Sequence, residues 1–370
     1  MGWHGCWGQT MNTHEEEIAT STVPAMAHRR GLIQAMAGGM ALAASGLSLP
    51  EWLEVERAEA RSGALGGAKG GRHGENRKGR QRNRNHGHKK NKRKRKRRND
   101  QGFVFVGSTT QVRGPDGLAV GGERLFVANA ASNANGVQYF GINTKGQLAL
   151  QGSFPDSFNI AVAVATDAAG RIYVADFQGF VRVYAIGDDG VVRRIAEIRG
   201  VPSPNGVAVV GRYLFISSQN QNNLHVYHIT DGSPPTYEPV TTIGDLSKPA
   251  QLAADGGRLY VADAGNNRVQ VYGTDSRTGA ATLKQTLPIS NPRGIAAGGG
   301  QLYVSCAKPG ESQRSRVQVF DLDADGAATP SVVLTKGDKA FQDPRGVAVG
   351  RGFLFVADTG NNRIQAFRIP

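Results

Sequence analysis

Four polar side chains share one repeated position, the middle of a Pro-x-Gly tripeptide. Asp116 and Asn205 lie in PDG and PNG, while Arg293 and Arg345 lie in two copies of PRG. Guanidinium groups bind carboxylate and phosphate through paired hydrogen bonds. Carboxylate and amide groups bind the hydroxyl and amide groups of polar ligands. Brought together, the four would form a ring that is cationic on one side and acidic or amidic on the other.

Each tripeptide begins a unit of three predicted strands. The position of the ring therefore depends on how these units are arranged in the fold. The last unit, residues 343–370, reads DPRGVAVGRGFLFVADTGNNRIQAFRIP, with short apolar runs separated by Gly and Asn turns. Six copies recur, each 42 to 52 residues after the one before. An apolar residue near the end of the second strand marks each copy: Val127, Val174, Ile216, Val261, Val304 and Val356. All-strand repeats of this length predict the blades of a propeller.

The repeat resembles the NHL-repeat family. The matching residues are PRGIAA with RLYVADAGNNRVQVY in the fourth copy, and PRGVAV with FLFVADTGNNRIQAF in the sixth. The resemblance covers residues 102–370 and implies an all-β fold, a six-bladed β-propeller of four-stranded antiparallel blades. Such motifs describe how a blade is built and leave its ligand open.

The propeller domain is predicted to span 101–370 and to close through its own N-terminal strand. The sixth copy stops after its third strand, at Pro370. The segment 102–108, GFVFVGS, precedes the first tripeptide and resembles the outer strands of other blades, such as 147–154. We expect it to supply the fourth strand of the last blade, which would remove the open sheet edges.

Other repeated residues have structural interpretations. The Gly of each tripeptide begins an inner strand, where a side chain would clash near the axis. Asp263 and Asp358 precede polar turns and can accept backbone amides there, while Arg268 and Arg363 can pair with them. Cys306 is predicted to be a buried structural thiol, because its repeat copy contains no His to activate it.

The tripeptide ring is predicted to surround the mouth of the propeller channel. The turn that enters the inner strand and the turn that joins the second and third strands open on the same face. The second set of turns adds further candidate ligand contacts: Phe177, Gln178, Asn220, Asn266 and Asn361. Together they suit a polar ligand such as a glycan, a peptide or a protein. For any single amide, the preference of Asn and Gln for turns is the simpler explanation.

The resemblance also implies enzyme alternatives, a lactonase-like hydrolase with calcium in the channel or an NHL-type lyase with a His-bound metal. No cofactor is predicted; if calcium is bound, Asp116 and Asn205 are the candidate ligands. His225 and His228 lie three residues apart on one predicted strand, so they point to opposite faces and do not share a metal. We predict no catalytic residue and favour a monomeric binding or scaffold module.

Residues 1–60 resemble a twin-arginine export signal. Arg29 and Arg30 are followed by the uncharged apolar run 31–49 and by the A-x-A pattern at 58–60. The protein is therefore expected to be exported, as a periplasmic, cell-wall associated or extracellular protein. An uncleaved membrane anchor is the alternative.

Residues 61–100 form a predicted disordered basic linker. They carry 17 Lys and Arg against two acidic residues and account for the net charge of +14 of the chain. Behind an export signal, the expected partner is an anionic envelope polymer or lipid surface, and a spacer without a partner is the alternative. The nearly neutral propeller argues against nucleic acid as a ligand.

Overall fold

A computed structural model describes residues 102–131, 136–307 and 315–370. The predicted export signal at 1–60 and the basic linker at 61–100 lie outside these residues. Within the described ranges the chain forms strands and two short 3-10 turns, Ala264–Asn266 and Thr359–Asn361. No helix in this part of the chain is long and apolar enough to cross a membrane.

The strands form six four-stranded antiparallel sheets, the blades of the propeller. Blade 1 contains β2 (Pro115–Gly121), β3 (Arg124–Asn129), β4 (Val137–Ile142) and β5 (Leu148–Ser153). Blade 2 contains β6 (Ala161–Thr166), β7 (Ile172–Asp176), β8 (Phe180–Ile186) and β9 (Val192–Arg199). Blade 3 contains β10 (Pro204–Val210), β11 (Tyr213–Ser218), β12 (Asn223–Thr230) and β13 (Thr236–Ile243). Blade 4 contains β14 (Pro249–Asp255), β15 (Arg258–Asp263), β16 (Arg268–Thr274) and β17 (Ala281–Pro288).

Blade 5 contains β18 (Pro292–Gly298), β19 (Gln301–Cys306), β20 (Arg316–Leu322) and β21 (Ala328–Leu334). Blade 6 contains β22 (Pro344–Gly350), β23 (Phe353–Asp358) and β24 (Arg363–Arg368), completed by β1 (Val104–Thr109). β1 pairs antiparallel with β24, with Phe105 opposite Phe367. The six-bladed fold and the predicted closure by the N-terminal strand are therefore confirmed.

Inner strands of neighbouring blades approach too closely for side chains at the tripeptide glycines. A Cβ at Gly346 would lie 1.9 Å from the carbonyl oxygen of Asp116, and one at Gly206 would lie 2.5 Å from that of Ala250. Backbone atoms cannot give way as a flexible side chain can. The structural interpretation of these glycines is therefore confirmed, and the close approach fixes the spacing of the ring positions beside them.

The apolar core lies between the faces of adjacent blades. Leu125, Val127 and Phe140 of blade 1, for example, pack with Phe355 and Ile364 of blade 6 in one buried cluster. The second strand of each blade is buried along almost its whole length because it is covered on both faces. This layered packing holds the loops of all blades in register at the channel mouth.

Candidate functional site

The GNN turns are held by the aspartate that precedes them. Asp358 accepts hydrogen bonds from Arg363 Nε at 2.7 Å, from Asn361 Nδ2 at 2.9 Å and from the backbone N–H of Gln342 at 2.7 Å. Blade 4 repeats this arrangement: Asp263 accepts from Arg268, Asn266 and Ser247. The predicted structural pairing of aspartate and arginine is confirmed. It also occupies the amides of Asn266 and Asn361, two candidate ligand contacts.

The second Asn of the turn joins one blade to the next. Asn267 and Asn362 have left-handed backbones, with φ of 51° and 50°, which Asn tolerates better than most residues. The Oδ1 of Asn267 accepts the backbone N–H of Asn291 at 2.9 Å, and that of Asn362 accepts the N–H of Gly114 at 2.8 Å. Since both acceptors serve the following blade, these bonds form an inter-blade clasp. The clasp was not predicted from the sequence, although the repeated NN dipeptide is its signal.

A polar cavity of about 310 Å³ lies at the channel mouth. The structure brings the four tripeptide residues Asp116, Asn205, Arg293 and Arg345 together in its lining. Four further amides complete much of the wall: Gln219, Gln251, Asn267 and Asn291. Lys248 also lines this mouth cavity. Lys248 and Asn291 each lie directly before the Pro that opens the inner strand of a blade, and this position is the sequence signal that could have identified them.

The other predicted contacts lie away from this lining. Phe177 is buried in the core between blades 2 and 3, where Val162, the blade 2 counterpart of the tripeptide residues, is also buried. Gln178 is exposed and accepts a hydrogen bond from Asn159 at 2.6 Å. Asn220 is half-buried on the β11–β12 turn. Blade 2 therefore contributes no side chain to the cavity lining.

The floor of the cavity is a buried charge network. Arg345 and Asp116 are each only 6% exposed. Arg345 Nη1 lies 3.4 Å from Asp116 Oδ2, while its Nε and Nη2 donate to Asp343 Oδ2 at 3.0 and 2.8 Å. Burial raises the pKa of Asp116, and the Arg345 charge is the largest influence opposing this rise. One guanidinium thus bridges two carboxylates.

Gln251 extends this network to two further blades. Its Nε2 donates to Asp116 Oδ1 at 3.3 Å and to the carbonyl oxygen of Val162 at 3.4 Å. These bonds run from blade 4 to blades 1 and 2, across the propeller axis. These hydrogen bonds tie the side chains of the cavity floor together.

The cavity does not fit calcium. The ion takes six to eight oxygen ligands, but the lining holds one carboxylate, Asp116, and that carboxylate already faces Arg345. Three cationic side chains in the lining also oppose a divalent cation. Across the described ranges, no three His, Cys, Asp or Glu residues group as a metal site.

The two propeller histidines have separate environments. His225 Nε2 lies 2.7 Å from Gln221 Oε1, and burial lowers the pKa of its ring. The ring of His228 packs at 5.3 Å against that of Tyr213. Neither lines the mouth cavity, so this cavity does not combine histidine with its carboxylate.

Comparison with known proteins agrees with the repeat pattern. The NHL repeat family model matches residues 246–272 and 341–367, which are the fourth and sixth copies. The chain carries NHL repeats. In this propeller, the repeated Asp, Arg and first Asn of the GNN turns serve the blade scaffold, while the Pro-x-Gly position, which differs between blades, lines the cavity. No curated protein sequence matches the chain.

Solved propellers share the fold at low sequence identity. A putative 6-phosphogluconolactonase from Bacteroides uniformis is 16% identical with a TM-score of 0.52, and the match covers 67% of this chain and 78% of that one. The periplasmic gluconolactonase of Pseudomonas aeruginosa is 18% identical with a TM-score of 0.50, covering 69% and 81%. A protein from Lactobacillus plantarum is 18% identical with a TM-score of 0.50, covering 65% and 76%. At these identities the similarity shows the fold alone.

Proposed function

We propose that the NHL propeller is the binding module of an exported protein of the cell envelope and that it holds a polar ligand in the mouth cavity. The observation that carries the proposal is the cavity itself, whose lining combines a buried carboxylate with three cations and several amides. Buried charges and convergent polar groups in a concave site are typical of ligand recognition.

The size and chemistry of the cavity restrict its ligand. A volume of about 310 Å³ lies at the small end of ligand sites and suits one sugar unit or the end of a peptide. The lining supplies hydrogen-bond donors and acceptors but no aromatic residue. A glycan, a peptide or a protein segment with many polar groups therefore fits better than an apolar or base-stacking ligand.

Array binding tests the proposal. Labelled full-length protein is applied to glycan and peptide arrays beside a variant with Asn205→Leu and Asn291→Leu, which removes two lining amides. A matched control carries Asn143→Leu, on the exposed β4–β5 turn away from the mouth. We expect hits that the lining variant loses and the control keeps. Equal profiles for all three proteins would contradict binding at the mouth.

Residues 61–100 would keep the module at the envelope through their positive charge. Electrostatic retention weakens with salt because mobile ions screen it. We therefore expect deletion of 61–100 to abolish the salt-sensitive part of retention on isolated envelope material and to leave propeller unfolding unchanged. Equal retention with and without the segment throughout a salt titration would refute this role.

A hydrolase with its site in the same channel is the second candidate. It is favoured by the fold shared with a putative 6-phosphogluconolactonase and a gluconolactonase. Element analysis of the purified protein and thermal unfolding with calcium or chelator separate the two candidates. A stoichiometric metal whose removal lowers the melting temperature would favour the hydrolase, whereas the lining charges predict neither a metal nor a shift.

A further inference from the structure

Among the described residues, blade 4 contributes more side chains to the mouth cavity than any other blade. Its ring position holds Ala250, where four other blades carry the larger Asp, Asn or Arg. The next residue is Gln251, where those four blades have Gly. A small side chain followed by a long polar one therefore leaves space at the mouth and places an amide in its floor.

The amide of Gln251 has a fixed orientation and an unused acceptor. The residue is 7% exposed, and its Nε2 faces Asp116 Oδ1 at 3.3 Å and the carbonyl oxygen of Val162 at 3.4 Å. Because a carboxylate and a carbonyl are both acceptors, the nitrogen of the amide must face them and the oxygen must point elsewhere. Its Oε1 accepts no hydrogen bond from the residues that the structure describes. A buried acceptor without a donor is unfavourable, and a donor on a ligand would relieve this.

Two pairs of amides on the cavity walls also keep hydrogen-bonding capacity. Asn205 Nδ2 donates to Gln219 Oε1 at 2.6 Å, which leaves Asn205 Oδ1 and Gln219 Nε2 unused. Asn267 Oδ1 accepts the backbone N–H of Asn291 at 2.9 Å, which leaves Asn267 Nδ2 and the side-chain amide of Asn291 unused. These remaining groups have no partner within the described ranges. Neutral donors and neutral acceptors therefore surround one space.

We propose that the mouth cavity binds one neutral sugar unit through its hydroxyl groups, with Gln251 and Gln219 as contacting residues. The inference rests on the proposed function and selects its ligand class. Each hydroxyl both donates and accepts, so one sugar ring can serve the unused acceptor of Gln251 and the unused donor of Gln219 together. An anion only accepts hydrogen bonds, and it would leave the buried acceptor of Gln251 unsatisfied.

A sugar matches these unused groups better than a peptide does. A trans peptide group has one donor and one acceptor, which point in opposite directions, and a free chain end adds a charge. A sugar ring directs hydroxyls to several sides, as the unused groups on the floor and walls require. The lining contains no aromatic residue, so the hydroxyls rather than a stacked ring face carry the recognition.

Calorimetry with neutral probes tests the proposal on the full-length protein. The sugars are the methyl glycosides of glucose, galactose, mannose and N-acetylglucosamine. Each is compared with its monodeoxy derivatives, which lack one hydroxyl and add no bulk. We expect at least one glycoside to bind and one of its deoxy derivatives to bind at least about fivefold more weakly, the effect of one neutral hydrogen bond. The peptide probe is N-acetyl tetra-alanine amide, and because every probe is neutral, the basic segment 61–100 does not attract them.

Substitutions locate the hydroxyl contacts in the cavity. Gln251→Leu and Gln219→Leu should each weaken binding of the best glycoside at least about fivefold. In each variant, the deoxy derivative that lacks the matching hydroxyl should bind as tightly as the parent glycoside. Gln221→Leu is the matched control, because Gln221 is exposed on the same turn as Gln219 and lies outside the lining. If Gln251→Leu fails to fold, Gln219→Leu carries the test.

The outcomes separate this inference from the function on which it rests. Binding of the peptide amide without binding of any glycoside would overturn the sugar assignment and leave the binding module standing. Equal affinity for parent and deoxy glycosides would also overturn it, as would an affinity that both cavity substitutions leave unchanged. Failure of every probe would refute the inference, and the proposed function would fall with it only if the arrays were also silent.

Discussion

Removing the guanidinium of Arg345 should destabilise the propeller in a manner that depends on pH. Arg345→Met keeps an unbranched side chain of similar reach but leaves Asp116 without its cation. Both partners are 6% exposed, and breaking a buried ion pair from one side costs about 3 to 5 kcal/mol. We expect a loss of this size in the free energy of unfolding near neutral pH.

The pH dependence follows from the sign of the pKa shift. Burial raises the pKa of Asp116 in the folded protein, so its ionisation removes stability as pH rises through the folded pKa. Without Arg345 that pKa rises further. The difference between variant and wild type should therefore be small in acid and should grow by about 1.4 kcal/mol per pH unit between the two folded pKa values.

Urea unfolding at a series of pH values measures this difference. Asp116→Asn in the Arg345→Met background should recover most of the loss, because a neutral amide tolerates burial better than an unpaired carboxylate. Arg193→Met removes an exposed ion pair with Asp189 and serves as the control with little expected change. A loss that is constant with pH and is not rescued by Asp116→Asn would refute the reasoning.

Three further predictions concern the scaffold. Gly346→Ala should lower the free energy of unfolding by about 3 kcal/mol or more in urea titrations, because its Cβ would meet the carbonyl of Asp116 at 1.9 Å; a loss below about 1 kcal/mol would contradict the close approach. Asn362→Ala should lower the free energy of unfolding by about 2 kcal/mol, because it removes the hydrogen bond to Gly114 and places Ala in a left-handed backbone conformation. Asn362→Gly also removes the hydrogen bond but tolerates that conformation, so its loss should be about half as large. Equal losses for the two variants would show that the backbone conformation contributes nothing. Burial raises the pKa of the Cys306 thiol to about 11. Iodoacetamide at about pH 8 should therefore leave Cys306 unmodified in the folded protein and label it once urea unfolds the chain, as measured by peptide mass spectrometry. Rapid labelling of the folded protein would contradict its burial.

The fold was predictable because its information is repeated along the sequence. Six copies of one strand pattern each indicate a propeller blade. The last copy lacks its fourth strand, and this gap predicted β1 as the strand that closes the propeller. The tripeptide phase also placed Asp116, Asn205, Arg293 and Arg345 around one opening. These predictions need only the blade period and the common direction of the inner strands.

The details of the site depended on contacts that no local pattern contains. Arg345 and Asp116 are 229 residues apart in the sequence. The sequence around either residue therefore did not indicate that the two side chains form an ion pair in the cavity floor. Phe177 turns into the core in the blade where Ala161, Val162 and Ala163 replace the usual tripeptide. Lys248 faces the cavity from a left-handed residue before proline, a conformation that side-chain type alone does not indicate.

Asn266 and Asn361 illustrate a second limit. Their amides were predicted as ligand contacts because they recur beside the channel mouth. In the structure, each donates to the aspartate of its own turn. A polar residue that recurs in several blades therefore more often has a structural role in the blade. Positions that vary between blades are the better guide to ligand contacts.

The crystal structure of the full-length protein with the strongest array ligand tests the central claim most directly. The account predicts ligand density in the mouth cavity, within hydrogen-bonding distance of the polar side chains that line it. Ligand density on another face of the propeller, with the mouth cavity unchanged, would contradict it.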